Sequence, residues 1–197
     1  KENEITVVHV VPNLRFAKKA VDAGVDAIVV EGFEAGGHNG KDEMTTMSLI
    51  PLVKKEIKIP IIAAGGIASG QAILAAFSLG AEGVQIGSLF ASSEESSAHN
   101  NFKKAIVDAN ENDTMLTLKE LAPVRLLKNP FYQKIFDSYQ KGASTEKLKK
   151  LLGRGRAKKG IFEGDLVEGE LEIGQVSAQI KEIKSVKEIM QEIITDF

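Results

Sequence analysis

The apolar run Ala27-Ile28-Val29-Val30 breaks directly into Glu31–Gly40, EGFEAGGHNG, which holds four glycines, two carboxylates and a histidine. No other stretch constrains the fold as strongly. A short run that is apolar on both faces suits a strand buried in a parallel sheet. Its abrupt end in glycine reads as that strand opening into a site, where Gly36 and Gly37 let the backbone approach a ligand closely. His38 follows them and is a side chain able to move a proton near neutral pH.

The pattern recurs along the chain. Ile5–Val11 is apolar and ends at Pro12-Asn13; Ile61-Ile62-Ala63-Ala64 runs into Gly65-Gly66-Ile67; Gly83-Val84-Gln85-Ile86 runs into Gly87-Ser88-Leu89. Helical periods lie between these runs. Arg15–Ala23 stops at Gly24, Thr46–Ile57 puts Leu49, Ile50 and Val53 on one face, and the Ala-rich Gly70–Leu79 closes at Gly80. Strands alternating with helices predict βαβ units and a parallel α/β sheet.

Each candidate residue lies just after a strand. In a (β/α)8 barrel that is the catalytic face, and its late loops often hold a phosphate. Gly65-Gly66 and Gly87-Ser88 suit this role, because exposed backbone N–H groups with a helix start behind them attract anions. A doubly wound sheet is the alternative, but no G-x-G-x-x-G follows the first strand.

These segments resemble a known family. EGFEAGGHNG, IPIIAAGGIASG and GAEGVQIGSLF are similar to the flavin-dependent nitronate monooxygenase and enoyl-acyl-carrier-protein reductase II superfamily. The tail, VRLLKNPF and then GRAKKGIFEGDLVEGELEIGQ, resembles the lid and C-terminal part of the reductase branch. The resemblance spans essentially the whole chain. It implies the C-terminal part of an FMN-binding TIM barrel over residues 1–97, with a mostly helical extension or lid over residues 98–197. It also implies that the N-terminal half-barrel is absent, since the chain starts at Lys1 and soon enters what looks like the fifth strand. A complete barrel needs roughly 250 residues, and four strands leave two open edges.

The same resemblance assigns roles. His38 is the expected catalytic residue. Glu31, Ala35, Gly36, Gly37, Gly65, Gly66, Gln85, Ile86, Gly87 and Ser88 are the expected FMN contacts, with the phosphate between the Gly65-Gly66 and Gln85–Ser88 loops. NAD(P)H would be the cosubstrate, and the substrate a trans-2-enoyl group on acyl carrier protein or another small molecule. The rival activity is oxidation of nitroalkanes or nitronates by oxygen. A third reading, from another class, is a flavin-binding half-barrel with no turnover by itself.

Composition is that of an ordinary globular chain, 43% hydrophobic and 26% charged. A net charge of −2 argues against broad attraction to nucleic acid or membrane. The absence of Cys excludes disulfides, thiolate catalysis and Cys-ligated metal, and no metal site is expected. A cytoplasmic enzyme, with homodimerisation as one assembly, is compatible with all of this. His9 reads as a structural histidine of the first strand, facing a barrel interior, and His99 as a helix-start residue. Gly153–Lys159, GRGRAKK, reads as a solvated basic face or a dock for an acidic carrier protein or dinucleotide phosphate. Thr145–Leu152, Gln175–Ile183 and Val186–Ile194 are expected helices.

Overall fold

The structure is a computed structural model that describes residues 4–197. In chain order its first elements are β1 (Val8–Val11), α1 (Leu14–Asp22), β2 (Ala27–Glu31), β3 (Gly37–His38), α2 (Thr46–Glu56), β4 (Ile61–Ala64), α3 (Gly70–Ser78) and β5 (Gly83–Gln85). There follow α4 (Ser88–Ala91), α5 (Asn100–Val107), β6 (Thr114–Thr117), β7 (Val124–Leu127), α6 (Pro130–Gln140), α7 (Thr145–Leu152), α8 (Arg156–Ile161), a 3-10 turn at Gln175–Gln179, and α9 (Val186–Asp196). The chain forms two compact units. Among the described residues, one comprises 4–35, 39–86 and 190–197; the other comprises 36–38 and 87–189.

The first unit is the expected parallel sheet, with strand order β1-β2-β4-β5. Register is set by the apolar runs, Val10 beside Val29, Val29 beside Ile62, and Ile62 beside Gly83. Ile28, Val30, Ile61 and Ala63 are wholly buried, as strands in the middle of an α/β sheet must be. Each helix begins at a side chain that can accept a backbone N–H. Asn13 accepts from Phe16, Thr45 from Ser48, and Ser69 from Ala72. α1 and α3 then end before Gly24 and Gly80, both at positive φ. The order strand, helix, strand puts every loop after a strand at one edge of this sheet.

The first strand is shorter than its apolar run. The ladder begins at Val8, and before it the backbone N–H of Val7 donates to Asp26 Oδ2 at 2.8 Å. β1 is an edge strand, and Val8, His9 and Val10 are exposed.

The second unit is rich in helix, and it also carries an antiparallel sheet of order β3-β7-β6 that the sequence reading did not anticipate. Its strands run four residues or fewer, too short for a period to emerge, and β7 is buried along its whole length. One apolar cluster joins Phe102, Ile106, Leu127, Leu171 and Ile173; another joins Leu118, Phe131, Ile135 and Leu148. The expected helix from Gln175 is a short 3-10 turn that ends at Gln179. His99 does start a helix: its Nδ1 accepts from Asn101 N at 3.1 Å. No helix among the described residues is long and apolar enough to cross a membrane.

Leu118 is 0% exposed at the centre of the second cluster, at a positive φ of 55°. Leu118→Ala should cost about 2–5 kcal/mol through lost burial and a residual cavity. Urea unfolding of the variant beside the parent protein measures this.

Candidate active site

In the first unit, the loops after β2 and β4 are tied together by one threonine. Thr46 opens α2, and its backbone N–H donates to both carboxylate oxygens of Glu34, each at 3.1 Å. Its hydroxyl lies 2.8 Å from Gly65 O, 3.1 Å from Ala64 O and 3.2 Å from Glu34 Oε2. A hydroxyl has one proton, so these acceptors share it. Glu34 thereby places a negative charge at a helix start, where the macrodipole favours it. Glu34 is an anchor of the loop.

Gly65 and Gly66 follow with φ of +89° and +73°. Only glycine takes two such conformations in succession without strain. A side chain at Gly65 would also collide with Gly32 O, 2.6 Å from the Cβ position. Glu31, the last residue of β2, is half-buried, and burial raises its carboxyl above the usual range. Ala35 is half-buried, and its carbonyl accepts from Asn39 Nδ2 at 2.9 Å. At the far edge of the sheet, Gln85 is exposed and Ile86 is partly covered. Glu31, Ala35, Gly65, Gly66, Gln85 and Ile86 thus all belong to the first unit.

Gly36, Gly37, His38, Gly87 and Ser88 belong to the second. Here the two glycines have a packing reason. A Cβ on Gly36 would sit 2.4 Å from the carbonyl carbon of Ile173, and one on Gly37, at φ +74°, would sit 2.9 Å from Glu172 Oε2. Gly37 and His38 form β3, pairing with Arg125 and Val124. The histidine is therefore fixed by a sheet and not left on a free loop, while its side chain stays exposed. Gly87 has open space around its Cβ position. Ser88 is buried, and its Oγ accepts from Gly174 N at 3.0 Å.

The segment Glu168–Glu172 carries functional groups that the sequence reading did not single out. Glu170 is 6% exposed, and its Oε1 has no hydrogen-bond partner among the described residues. Burial first, and then the charge of Glu172, push its carboxyl up to about 7, with Arg156 pulling the other way. Burial also raises Glu172, opposed by attraction to His38. The signal was available in the alternation Glu168, Glu170, Glu172, which on an extended chain would put three carboxylates on one side. The basic cluster GRGRAKK is only partly a solvated face. Arg156 folds inward, donating to Leu151 O, Leu152 O and Glu168 O, and stacks 4.2 Å from the centre of the Phe131 ring. Counting charges hides this, because a guanidinium can satisfy carbonyls as readily as it meets solvent. Among the described residues, no group of three or more His, Cys, Asp or Glu is placed to hold a metal ion.

A parallel α/β sheet with its glycine loops at the strand ends is the arrangement of strands and loops found in α/β barrels. Residues 1–196 match the nitronate monooxygenase family model, and the chain belongs to that family. It is 38% identical over 145 residues to a probable nitronate monooxygenase of Staphylococcus saprophyticus, an alignment covering 68% of this chain and 41% of the relative. The chain thus spans less than half the length of that curated relative. The structure of FabK from Thermotoga maritima is similar to the whole chain, with a TM-score of 0.92 and 41% identity, and this chain covers 62% of it. Nitroalkane oxidase from Streptomyces ansochromogenes is similar at 26% identity with a TM-score of 0.79, over 97% of this chain and 57% of that one.

Glu170 generates a pH prediction. Its folded pKa of about 7 lies above the ordinary carboxylate value of 4.5, so the folded state holds a proton that the unfolded state releases first. The stability that this proton contributes is fully present below the ordinary value and is lost as pH rises from there to about 7. Glu170→Gln, which keeps the neutral shape, should flatten that fall and leave the variant the more stable protein at pH 8, by at most about 3 kcal/mol. Denaturant midpoints at pH 5 and pH 8 for both proteins measure it.

Proposed function

We propose that this chain carries the substrate-facing histidine of an FMN-dependent oxidoreductase that reduces trans-2-enoyl groups on acyl carrier protein, with NAD(P)H as reductant. The observation that carries the reading is the likeness to FabK along the entire chain, at 41% identity. The tail EGDLVEGELEIGQ, which resembles the reductase branch, supports it.

The residues present fit a flavin. The positive-φ turn at Gly65-Gly66 presents successive backbone N–H groups with no side chain over them, which suits a phosphate. Exposed Gln85 on β5 and half-buried Glu31 on β2, at the ends of the strands either side of β4, suit the polar edge of a ring system. When bound, FMN supplies the hydride chemistry, and this chain supplies binding, orientation and protons. During reduction of an enoyl thioester, negative charge develops on the thioester oxygen and the α-carbon takes a proton. His38 Nδ1–H or Nε2–H donates a hydrogen bond to that oxygen, or hands its proton to the α-carbon. β3 holds the backbone of His38 in place, which restricts where the imidazole can reach.

The second reading is nitronate oxidation, favoured by the names of the family and of its curated relatives. There His38 would act on a nitroalkane or nitronate, and oxygen would take the electrons. Two half-reactions separate the activities. If the reductase reading holds, the flavoprotein bleaches anaerobically with NADPH or NADH and is reoxidised by a crotonyl thioester. Failure to bleach, together with oxygen uptake on a nitronate, would replace it with the second reading.

Two variants test the residues. Gly66→Val puts a branched side chain at φ +73°, 3.4 Å from Glu34 Cβ, and should abolish flavin retention. Yellow protein with unchanged FMN content would refute the phosphate assignment. His38→Ala should keep FMN bound and lower substrate reduction by about 10²–10⁴. Flavin reduction by NAD(P)H should fall much less. A variant that loses its flavin first would make His38 a loop anchor.

A further inference from the structure

Glu172 stands beside His38 for a topological reason. β7 pairs antiparallel with β3, with Val124 opposite His38. Two residues on, Leu126 makes an antiparallel bridge with Glu172. Residues directly opposite each other across a sheet point to the same face, and so do residues two apart along a strand. His38 and Glu172 are therefore neighbours on one face, along one edge of β7. Arg125, the residue between Val124 and Leu126, faces the other way, and its Nη1 donates to Thr114 Oγ1 at 3.3 Å. Glu172 Oε2 also lies 2.9 Å from where a Cβ on Gly37, the residue before His38, would be; the positive φ of 74° takes Gly37 out of the regular alternation. His38 is exposed and Glu172 half-buried, so the imidazole is the member free to meet a substrate.

We propose that Glu172 is a positioning residue for His38, its carboxylate engaging one ring nitrogen so that the other is aimed at the substrate. This rests on the reading of His38 as the substrate-facing group. An imidazole flanked by a carboxylate is held in one tautomer and one orientation, and the charge that builds on it as it exchanges a proton is compensated. Two charges act on the pair of carboxyls Glu170 and Glu172 besides their own. Glu170, on the same segment, repels Glu172; Arg156 on α8 attracts Glu170; His38 on β3 attracts Glu172 itself.

The test uses the flavin-loaded protein and four variants, Glu172→Gln, Glu172→Asp, His38→Ala, and Glu172→Gln combined with His38→Ala. Glu172→Gln should leave FMN content, melting temperature and flavin reduction by NAD(P)H unchanged, while kcat for reoxidation by crotonyl thioester, or by nitronate and oxygen, falls about tenfold or more. Glu172→Asp should restore part of the rate. In the His38→Ala background, Glu172→Gln should cost nothing further, because the residue it serves is gone. Normal turnover in Glu172→Gln beside an impaired His38→Ala would overturn the positioning role alone. Normal turnover in His38→Ala would overturn the reading of His38, and the pairing with it. A second readout needs no activity. The carboxyl carbon of Glu172, followed by 13C NMR, should titrate above the usual carboxylate range and move still higher in His38→Ala, since the attraction that draws it down is removed. A Glu172 titration indifferent to His38 would overturn the contact even if the Gln variant did not fold.

Discussion

The pairing of Gly37 and His38 with Arg125 and Val124 is the constraint on which the functional reading depends. Without it, EGFEAGGHNG would be a mobile loop, and its histidine one exposed side chain among many. A two-residue ladder is weak by itself. It holds because its partner strand is buried throughout and because Ile173 and Gly174 lie against Gly36 at backbone distance. The cost of immobilising a loop is thereby met by packing that involves no side chain of the loop. This also explains why Gly36 and Gly37 are glycines: one admits a neighbouring backbone, the other a neighbouring carboxylate.

A second constraint acts at the strand ends of the parallel sheet. Thr46 is at once the first residue of α2, the donor to Glu34 and the hydroxyl nearest Gly65 O. The helix start and two loops therefore move as one body. The Gly65-Gly66 turn gains a fixed geometry that its own residues, the least restrained in the chain, could not supply. A phosphate-binding turn needs this property, since amides ordered beforehand lose no entropy when the anion arrives.

The parallel sheet was legible in the sequence because burial on both faces writes itself as unbroken apolar runs, and because each helix was bounded by a capping residue or a glycine. The second unit was harder to read. Val124–Leu127 is VRLL, an apolar run broken by an arginine, and the arginine is buried with a hydroxyl partner rather than exposed. Nothing local announces that. Arg156 misled in the same way: it sits in a basic cluster, yet its partners are carbonyls from residues 151, 152 and 168. Glycine, histidine and their spacing identified the candidate site. The carboxylates around it went unremarked, because their meaning comes from a register between strands remote in sequence.

Those carboxylates form a graded row. Glu168 is held below the usual carboxylate range by hydrogen bonds from Lys134 and Arg156. Glu170, two residues on, is pushed up to about 7 by burial and by Glu172. Glu172 is raised as well, but faces His38. Two carboxylates this close do not both hold full charge in a buried site; a proton on one relieves the other. Glu170, whose Oε1 finds no partner among the described residues, is the one pushed up to about 7, while Glu172 is raised by burial and drawn down by His38. Arg156 is drawn the opposite way, toward Glu168 and Glu170, and does not compete with His38. The row thus runs from Glu168, in the turn at residues 166–168 with its ion pairs to Lys134 and Arg156, to the raised carboxyls of Glu170 and Glu172. Replacing Glu170 therefore does more than adjust stability. Glu170→Gln removes the neighbouring carboxylate charge that Glu172 would otherwise face as pH rises.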